Sequence, residues 1–422
     1  MEKIIKVDNL IIGAGISGLS FSSFLDSNNY LILEKENEPG GLCKSFYIDG
    51  FIWDYSGHFF HFKTDYWKSF FINALGLENI IFVEKNTKIF LKNRLVDYPF
   101  QSNINQLDTS DFKKCLEDLK KANNQSGSSF LEMIYNRFGE GICNLFLKPY
   151  NEKLYSCDLN VLDKNAMGRF FPQIDKNTII NSLQKKQIKT YNDSFLYPKN
   201  GCQAIISCFE PSKKNIRYSS YIRKIDVKNH IIETENEIYS YKNLISSAPL
   251  SDVFELLNFK DKEEIDFSYN KVKVFNIGFS KGLSKCSIFC GVHWLYFPEK
   301  EFCFYRVGFY NHIANQDKLS LYVEIGYSKD EVENVNIKEV LNDLMKAGII
   351  DGSFKMSAFN ELTMTPAYVH IESKTEEKIK KMFVDLAEQN IYFLGRYGRW
   401  TYCSIEDCLI GAKELANKLK YE

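Results

Sequence analysis

Apolar and polar positions along the chain follow two patterns, one of short continuous apolar runs and one of helical periodicity. The apolar runs at residues 10–12 and 30–33 predict two buried strands with a helix between them. Helical periodicity prevails from residue 103 to about 190, and strand signals return beyond Tyr191. The order of these elements predicts an α/β protein with a separate helical region.

Further elements follow from local patterns and from turn residues. Thr109-Ser110 is predicted to cap the first helix of the helical region, and Ser129 opens a capping-box pattern that ends at Glu132. Apolar runs predict strands at residues 222–225, 231–234, 244–250, 272–279, 288–297, 319–327 and 391–396. Helical periodicity predicts helices at residues 337–347, 376–387 and 405–419.

The first helix begins in a glycine-rich turn, Gly13-Ala14-Gly15-Ile16-Ser17-Gly18. Gly13 is expected to make the tight turn, Gly15 to let the backbone approach a pyrophosphate, and Gly18 to let the helix pack closely on the strand. Free N–H groups at the helix N-terminus can then bind phosphate oxygens. Because Glu34 ends the second strand, where it can bind a ribose hydroxyl, the pattern predicts a dinucleotide site. A glycine-rich loop without a ligand is the alternative.

A second glycine pair indicates which dinucleotide binds. Gly40-Gly41 follows the acidic strand end, and a short hairpin leads to Gly57-His58. A nicotinamide site has no need of this second pair, whereas the stretch resembles FAD proteins of the amine oxidase and protoporphyrinogen oxidase type. In those proteins it runs along the pyrophosphate toward the flavin ring. The cofactor is therefore predicted to be FAD and not NAD.

The composition narrows the possible functions. A chain of 422 residues exceeds one simple core, so two or three domains are expected. The 53 Lys and Arg residues nearly balance the 54 Asp and Glu residues. The protein therefore has no overall positive charge that would attract nucleic acid or an anionic membrane. Eleven cysteines without a CxxC pair indicate thiols in a reducing cytoplasm, with neither disulfides nor a metal site. No apolar run approaches the roughly 20 residues of a membrane span, and the N-terminal run is predicted to be a strand and not a signal peptide.

Five further motifs, in order along the chain, resemble UDP-galactopyranose mutases, especially their eukaryotic-like branch, within the superfamily of FAD-dependent amine oxidases. They are Tyr98-Pro99-Phe100-Gln101, residues 148–155, residues 294–299, Phe304-Tyr305-Arg306 and residues 395–400. The resemblance implies an isomerase that interconverts pyranose and furanose forms of a nucleotide-linked hexose, in polysaccharide biosynthesis. It further implies that N5 of reduced FAD is the nucleophile at the anomeric carbon, with no net redox change.

The resemblance also implies a domain organisation. The expected fold class is α/β, with a discontinuous, Rossmann-like FAD-binding domain that comprises residues 1–60, 191–255 and 388–422. A helical substrate-binding domain spans residues 103–190. A second domain, built on an antiparallel sheet, comprises residues 61–102 and 256–387.

Three residues match catalytic positions of the family. Arg169 and Arg306 match two arginines that clamp the substrate diphosphate, a task suited to a planar guanidinium that stays charged when buried. For each arginine a structural salt bridge is the alternative. His58 matches a histidine near the flavin, where a neutral imidazole that donates toward N5 would tune its nucleophilicity.

The resemblance implies two further sets of site residues. The cofactor set is Gly13, Gly15, Ile16, Ser17, Gly18, Glu34, Lys35, Gly40, Gly41, Leu42, Gly57, His58, Ile222, Gly395 and Arg396. The substrate set is Tyr98 and Gln101 at the base, Phe146, Asn151 and Tyr155 as the nucleoside wall, and Arg169, Asn192, Trp294, Tyr296, Arg306, Tyr368 and Tyr402 around the sugar and phosphates. For each aromatic residue, ordinary core packing is the alternative.

Two positions depart from the family pattern. Tyr155 stands where the family usually has Trp, and Cys403-Ser404-Ile405-Glu406-Asp407 replaces a Gly-Asn-Gln-Asp segment, so no sugar contact is carried over there. A UDP-hexose is the expected substrate, with thymine and guanine as alternative bases and several hexoses as alternative sugars. An external reductant such as NADPH would have to use the same cleft, since the sequence has no second dinucleotide pattern.

Two other classes of function stay open. One is a net oxidoreductase of the amine oxidase or desaturase type, which would need an acceptor such as oxygen and an apolar or amine pocket. The other is a flavin-binding scaffold or nucleotide-sugar sensor without catalysis.

Overall fold

The computed structural model describes residues 4–421 of the chain except 124, 126, 173, 184–192 and 260–262. In this part the strands are β1 (Ile4–Ile12), β2 (Tyr30–Leu33), β3 (Ser45–Ile48), β4 (Phe51–Asp54), β5 (Ile80–Glu84), β6 (Thr87–Leu91), β7 (Arg94–Asp97), β8 (Ser194–Pro198), β9 (Ile216–Arg217), β10 (Ile222–Asp226), β11 (Ile231–Thr234), β12 (Ile238–Ser246), β13 (Leu257–Asn258), β14 (Asn270–Phe279), β15 (Trp294–Tyr296), β16 (Arg306–Phe309), β17 (Ser320–Ser328), β18 (Met356–Met364) and β19 (Ile391–Phe393). The α-helices are α1 (Ile16–Ser23), α2 (Asp65–Leu75), α3 (Thr109–Lys121), α4 (Phe130–Ile142), α5 (Lys148–Tyr155), α6 (Lys176–Ser182), α7 (Leu250–Leu256), α8 (Tyr310–Ile313), α9 (Ile337–Lys346), α10 (Ser373–Ala387), α11 (Gly395–Gly398) and α12 (Ile405–Tyr421).

The predicted strand–turn–helix unit lies in an eight-stranded sheet. Its strand order is β13-β10-β11-β12-β1-β2-β9, and β19 also pairs with β12. The strand β1 pairs in parallel with β2 on one side and with β12 on the other. Because β1 has a parallel neighbour on each side, the turn after β1 lies at the carboxyl ends of three parallel strands, where sheets of this kind bind ligands. This is the predicted Rossmann-like region.

A second sheet has seven strands in the order β18-β14-β17-β16-β15-β6-β7. All its pairs are antiparallel except β15 with β6, which run parallel. One large apolar cluster joins this sheet to the helices α3, α4 and α5, through buried residues such as Phe146, Tyr155, Trp294 and Tyr322. The α/β fold class with a separate, mainly antiparallel sheet is confirmed.

The helical region is interrupted where the sequence predicts continued helix. The helix α4 leads through a π-helical turn (Cys143–Leu147) into α5, which ends at Ser156 with φ 53°. Between Ser156 and Asp175 the described residues, which are all but 173, form turns and irregular structure, with one 3₁₀ turn at Gly168–Phe170. Asp158 and Asp163 explain this, because each side chain accepts the backbone N–H two residues ahead and so competes with helical hydrogen bonds.

Four local predictions need correction. The N-cap of α3 is Asp108, whose Oδ1 accepts the Asp111 N–H at 2.9 Å, so Thr109-Ser110 lies inside the helix. The strand predicted at 288–297 is shorter, because Gly291 takes φ 73° and β15 begins only at Trp294. The strand predicted at 391–396 ends at Phe393, and that predicted at 244–250 ends at Ser246. Ser129 is confirmed as an N-cap.

A short ladder joins two distant parts of the chain. The strand β5 pairs antiparallel with β8, and Glu84 lies directly opposite Ser194. The Lys85 N–H also donates to the Asp193 carbonyl at 2.7 Å. The chain therefore leaves this ladder after Glu84 and returns to it at Ser194, at neighbouring points. These strands come from two different predicted domains, and the domain bounds themselves stay a prediction.

Candidate functional site

The turn between β1 and α1 requires glycine for two different reasons. A Cβ on Gly13 would lie 2.7 Å from the Ser247 Oγ, and one on Gly18 would lie 2.1 Å from the Gly13 carbonyl oxygen. A Cβ on Gly15, in contrast, would meet no described atom within 4 Å. The missing side chain at Gly15 thus leaves open space above the helix N-terminus, which fits the close approach of a pyrophosphate.

The ribose acid and the second glycine pair meet at this turn. The Glu34 carboxylate is buried and accepts the Ala14 N–H at 2.6 Å and the Glu36 N–H at 2.9 Å. The Gly40 N–H donates to the Ala14 carbonyl at 2.9 Å, and Gly40 forms a parallel bridge with Gly15. The two glycine segments predicted from sequence therefore lie side by side, with the acid between them.

Other predicted cofactor residues surround the same turn. A Cβ on Gly395 would lie 2.3 Å from the Ser17 Oγ, so the Gly395-Arg396 segment packs on the first turn of α1. The Ser220 N–H donates to the Glu34 carbonyl at 2.8 Å, which brings the start of β10, and with it Ile222, toward the acid. The remaining residues of the set lie in the same segments: the buried Ile16, the exposed Lys35, Gly41 and the half-buried Leu42. Together these residues fit an extended dinucleotide.

A cleft of about 280 Å³ lies beyond the turn. It gathers residues that are far apart in sequence, from the Ser56–Phe62 segment, from β15 and β16, and from the segment after β19. The sequence-predicted residues on its walls are Gly57, His58, Tyr98, Trp294, Tyr296, Arg306, Tyr368, Arg396 and Tyr402. The cleft is thus rich in tyrosine and has two arginines, Arg306 and Arg396, on its walls.

Arg306 is held in this cleft by a carboxylate that the sequence analysis missed. On the neighbouring strand Glu324 lies directly opposite and is fully buried; it accepts Nε and Nη2 of Arg306 at 2.7 Å each. Glu324 also accepts the Ser56 hydroxyl. Burial alone would lower the pKa of Arg306, but Glu324 outweighs it and holds that pKa well above its ordinary value. Arg306 is therefore a fixed cation, tied to the segment that leads to His58.

Arg396 packs against two tyrosine rings in the cleft. Its Cζ lies 4.2 Å from the ring centroid of Tyr402 and 5.3 Å from that of Tyr368. The two rings are stacked, with centroids 5.9 Å apart. This cation–π arrangement orders the guanidinium and leaves the tyrosine hydroxyls available to a ligand.

His58 is neutral at physiological pH. Burial, assisted by the charges of Arg396 and Arg306, lowers its pKa to about 4. Its Nδ1 lies 3.2 Å from the Ser56 carbonyl, which can only accept, so the neutral ring carries its proton on Nδ1. Nε2 is then an acceptor, and donation from Nε2 toward a flavin would require the other tautomer.

The lowered pKa values of two histidines predict how the free energy of unfolding depends on pH. The Nδ1 of His293 accepts the Asn86 N–H at 2.9 Å, and burial lowers the pKa of His293 to about 4, as it does for His58. Between about pH 4 and 6.5 the unfolded chain binds more protons at these residues than the folded chain, so the free energy of unfolding should rise with pH. Asp54, whose pKa burial raises to about 6, opposes this in part.

Urea titrations across this pH window measure the effect. The variant His293→Gln should reduce the slope of unfolding free energy against pH, whereas a flat wild-type profile would contradict the assignment of neutral, buried imidazoles.

Four of the predicted nucleoside-binding residues are almost completely buried and do not line the cleft, whereas Tyr98 is half-buried and lines it. Gln101, Asn151 and Tyr155 are 1%, 2% and 1% exposed, and Phe146 packs against Phe100 with ring centroids 5.1 Å apart. Among the described residues, the Gln101 Nε2, the Asn151 Oδ1 and the Tyr155 hydroxyl have no hydrogen-bond partner. An unsatisfied buried polar group costs about 1–3 kcal/mol, so three of them in one region indicate that a polar ligand completes it.

Arg169 does not point into the cleft as the sequence predicts. Its Nη1 and Nη2 donate to the two oxygens of Asp407 at 2.9 and 2.6 Å, and Nη2 also reaches the Ser404 Oγ at 3.0 Å. Burial opposes ionisation of Asp407, but hydrogen bonds led by that from Arg169 outweigh it and hold the pKa of Asp407 well below its usual range. Both predicted arginines thus form the salt bridges given as the alternative, Arg306 with Glu324 and Arg169 with Asp407.

Both missed carboxylates leave a signal in the sequence. Glu324 is a single acid within the apolar run 319–327, where an unpaired charge would be costly. Asp407 ends a Ser-x-x-Asp pattern at the start of the last helix, typical of a capping box. Neither pattern alone indicates the arginine that each acid binds.

Three further predictions concern Asn192, membrane-spanning helices and metal sites. Asn192 lies outside the described residues. Within the described ranges, no helix combines the length and apolarity needed to cross a bilayer. The same residues contain no group of three or more His, Cys, Asp or Glu that could hold a metal ion.

Comparison with known proteins agrees with this geometry. Residues 11–72 match the family described as an NAD(P)-binding Rossmann-like domain. A UDP-galactopyranose mutase of Mycoplasma genitalium is 26% identical over 215 residues, which are 45% of this chain and 50% of that protein. The chain thus spans about half the length of the curated relative that it matches.

Solved structures match over a longer range. That of a reduced UDP-galactopyranose mutase has a TM-score of 0.90 at 24% identity and covers 99% of this chain and 94% of its own. A putative protoporphyrinogen oxidase from Exiguobacterium sp. 255-15 has a TM-score of 0.76 at 15% identity, with 100% of both chains covered. The eukaryotic-like branch stays a prediction. The resemblance itself is confirmed: the chain is similar to UDP-galactopyranose mutases in sequence over about half its length and in fold over nearly all of it.

Proposed function

We propose that the chain is a flavin-dependent nucleotide-sugar mutase, an isomerase that interconverts pyranose and furanose forms of a UDP-linked hexose without net redox change. One observation carries the proposal: the buried guanidinium of Arg306 lines the same cleft as His58 and is joined through Glu324 to Ser56. A fixed cation beside the predicted flavin segment suits an anionic substrate, whereas an amine or apolar substrate has no use for it. The likeness to UDP-galactopyranose mutases supports the same function.

The residues present fit FAD as the cofactor. The glycine turn of residues 13–18 would hold the pyrophosphate, Glu34 the ribose and Gly40-Gly41 the adjoining backbone, with His58 and Arg396 at the flavin end. Bound in its reduced form, FAD supplies a nucleophilic N5 for the anomeric carbon. An external reductant such as NADPH would supply the electrons.

The chain's own residues bind, orient and shield the substrate. Arg306 and Arg169 hold the diphosphate near the sugar after it leaves, so that its return is effectively intramolecular. Burial raises the pKa of Tyr296 and Tyr368, so both hydroxyls stay protonated and can donate to phosphate oxygens. Both rings also line the cleft, where they exclude water.

The buried amides support uracil as the base. The Gln101 Nε2 is a donor and the Asn151 Oδ1 an acceptor, and both lack a partner among the described residues. The edge of uracil offers the complementary pair, the O4 acceptor and the N3–H donor. Cytosine offers the reverse pattern and would leave both amide atoms unsatisfied.

Replacing Gln101 with methionine should weaken binding of UDP about tenfold without loss of stability. Methionine fills a similar volume, and the change removes a buried amide that lacks a partner in the ligand-free protein, so the melting temperature should stay constant or rise. Calorimetric titration with UDP and thermal unfolding measure the two effects. The control Gln125→Met changes an exposed glutamine and should alter neither. An unchanged affinity in Gln101→Met would exclude Gln101 from base recognition.

The proposed activity is tested by anaerobic incubation of dithionite-reduced protein with UDP-galactopyranose. We expect a product of the same mass and a different retention time, formed only by reduced protein. Oxygen consumption with substrate turnover would instead indicate the amine oxidase or desaturase alternative. Absence of both would indicate the scaffold or sensor alternative.

The thiol content supports a reducing compartment for this chemistry. All eleven cysteines lie in the described part of the chain and are free thiols. We therefore propose the cytoplasm, where nucleotide sugars and reductants are both available.

A further inference from the structure

We propose that Asp407 competes with the substrate diphosphate for the guanidinium of Arg169, and we call the ion pair of Asp407 with Arg169 the latch. This inference rests on the proposed function, and it gives a role to the Ser404–Asp407 segment that departs from the family pattern. Asp407 is thus a positioning residue that acts through Arg169.

The latch uses the same donors that would bind phosphate. Both terminal nitrogens of Arg169 face the carboxylate of Asp407, at 2.9 and 2.6 Å, and the Ser404 Oγ takes a further bond from Nη2 at 3.0 Å. A guanidinium fork binds a carboxylate or a phosphate in the same bidentate way. The two anions therefore cannot hold this edge of Arg169 at once.

The acid is the fixed partner of the pair. Asp407 accepts the Ser404 N–H at 2.8 Å, and the Ser404 Oγ accepts the Asp407 N–H at 3.2 Å, which makes a capping box at the start of α12. The Lys63 Nζ adds a bond at 3.0 Å. A carboxylate in the first turn of a helix is also favoured by the helix dipole.

The arginine is the partner that can move. Arg169 lies in the 3₁₀ turn Gly168–Phe170, within the irregular segment after α5, and Gly168 has φ 49°. Its side chain is 31% exposed, compared with 18% for Arg306. Rotation of this side chain needs no rearrangement of a sheet or a long helix.

The latch lies where Arg169 can exchange Asp407 for a diphosphate bound in the cleft. Asp407 lines a second cavity of about 370 Å³, whereas Met167, Phe170 and Ser404 line the substrate cleft. The Arg169 guanidinium thus lies at the partition between two cavities. A diphosphate carries more negative charge than one carboxylate. When it is bound in the cleft it can therefore attract the Arg169 guanidinium away from Asp407.

Asp407→Asn tests the competition directly. Asparagine keeps the shape and the capping oxygen but removes the charge that binds Arg169. Because ion pairs of this exposure contribute little, we expect UDP to bind roughly two- to fivefold more tightly. The control Glu414→Gln removes one charge from an exposed position of the same helix and should leave the affinity unchanged. Equal or weaker binding by Asp407→Asn, with wild-type binding intact, overturns the latch and leaves the proposed function standing.

A double-mutant cycle separates the latch from a general effect of charge. In an Arg169→Ala background the additional change Asp407→Asn should no longer strengthen binding of UDP. A gain that persists without Arg169 overturns the proposal. If no variant binds UDP, the proposed function fails, and the competition fails with it.

Chemical modification gives a readout that needs no nucleotide. Butanedione reacts with accessible guanidinium groups, and peptide mass spectrometry reports its rate at Arg169. Asp407→Asn should speed this reaction and Glu414→Gln should not. An unchanged rate at Arg169 overturns the latch whatever the titrations give.

Discussion

Replacing Arg306 with alanine should lower turnover of UDP-galactopyranose by the reduced protein about 100- to 1000-fold, while FAD stays bound. Arg306 is the fixed cation of the cleft, paired with Glu324 at 2.7 Å. The diphosphate gains negative charge as it leaves the sugar. Removal of Arg306 should therefore raise the free energy of the transition state more than that of the bound substrate. Steady-state assays of reduced protein measure turnover, and the absorbance of bound flavin measures cofactor content.

Loss of catalysis in the Arg306 variants must be distinguished from loss of folding. Removal of Arg306 leaves the fully buried Glu324 without its cation, a change that destabilises proteins by about 3–5 kcal/mol. The double variant Arg306→Met, Glu324→Gln removes both charges and should recover stability without activity. Arg306→Lys keeps the charge but loses the fork, and should stay well below wild-type turnover. Wild-type activity in folded Arg306→Ala would remove Arg306 from the mechanism.

Replacing Gly15 with valine should yield a folded protein without flavin. Gly15 has φ −78° and ψ 179°, a conformation open to any residue, and a Cβ there would meet no described atom within 4 Å. The Cβ would therefore contact only a ligand above the turn. We expect the Kd for FAD to rise at least about 100-fold, equivalent to roughly 2.7 kcal/mol. Flavin content after purification and circular dichroism measure binding and folding.

Two other glycines serve as controls for this test. Gly352 is likewise free of Cβ contacts and lies far from the turn in sequence, so Gly352→Val should retain flavin. Gly18→Val would bring Cβ within 2.1 Å of the Gly13 carbonyl and should disrupt the fold itself. Full flavin content in Gly15→Val would contradict a pyrophosphate at the glycine turn.

The sequence predicts the arrangement of the glycine turn and Glu34 well because its determinants are local. Gly13, Gly15, Gly18 and Glu34 lie within one strand–turn–helix–strand unit, and their spacing alone brings them together. The same holds for Ser129, which caps a helix through a neighbour three residues away. Local geometry of this kind does not depend on the rest of the fold.

The partners of the arginines were not predictable because they depend on tertiary register. Arg306 faces Glu324 only because β16 and β17 pair with those two residues opposite. Arg169 meets Asp407 across 238 positions of sequence. A residue type and its apolar surroundings indicate that a buried charge has a partner, but not which one. The irregular segment after α5 was missed for a different, local reason, since the side-chain turn at Asp158 outweighs helical periodicity.

The ladder between β5 and β8 has a consequence for how such proteins diversify. Because Glu84 and Ser194 are paired neighbours, the stretch between them begins and ends at one point of the remaining chain. It is nevertheless joined to that chain through β6, which pairs with β15. Insertions whose ends lie close together can change in length or sequence without shifting the structure that hosts them. The inserted stretch carries Tyr98, Gln101 and Asn151, whereas the glycine turn lies in the host. Exchange of residues 85–193 between relatives therefore offers a route to a new nucleotide preference where the pairing of β6 with β15 is kept.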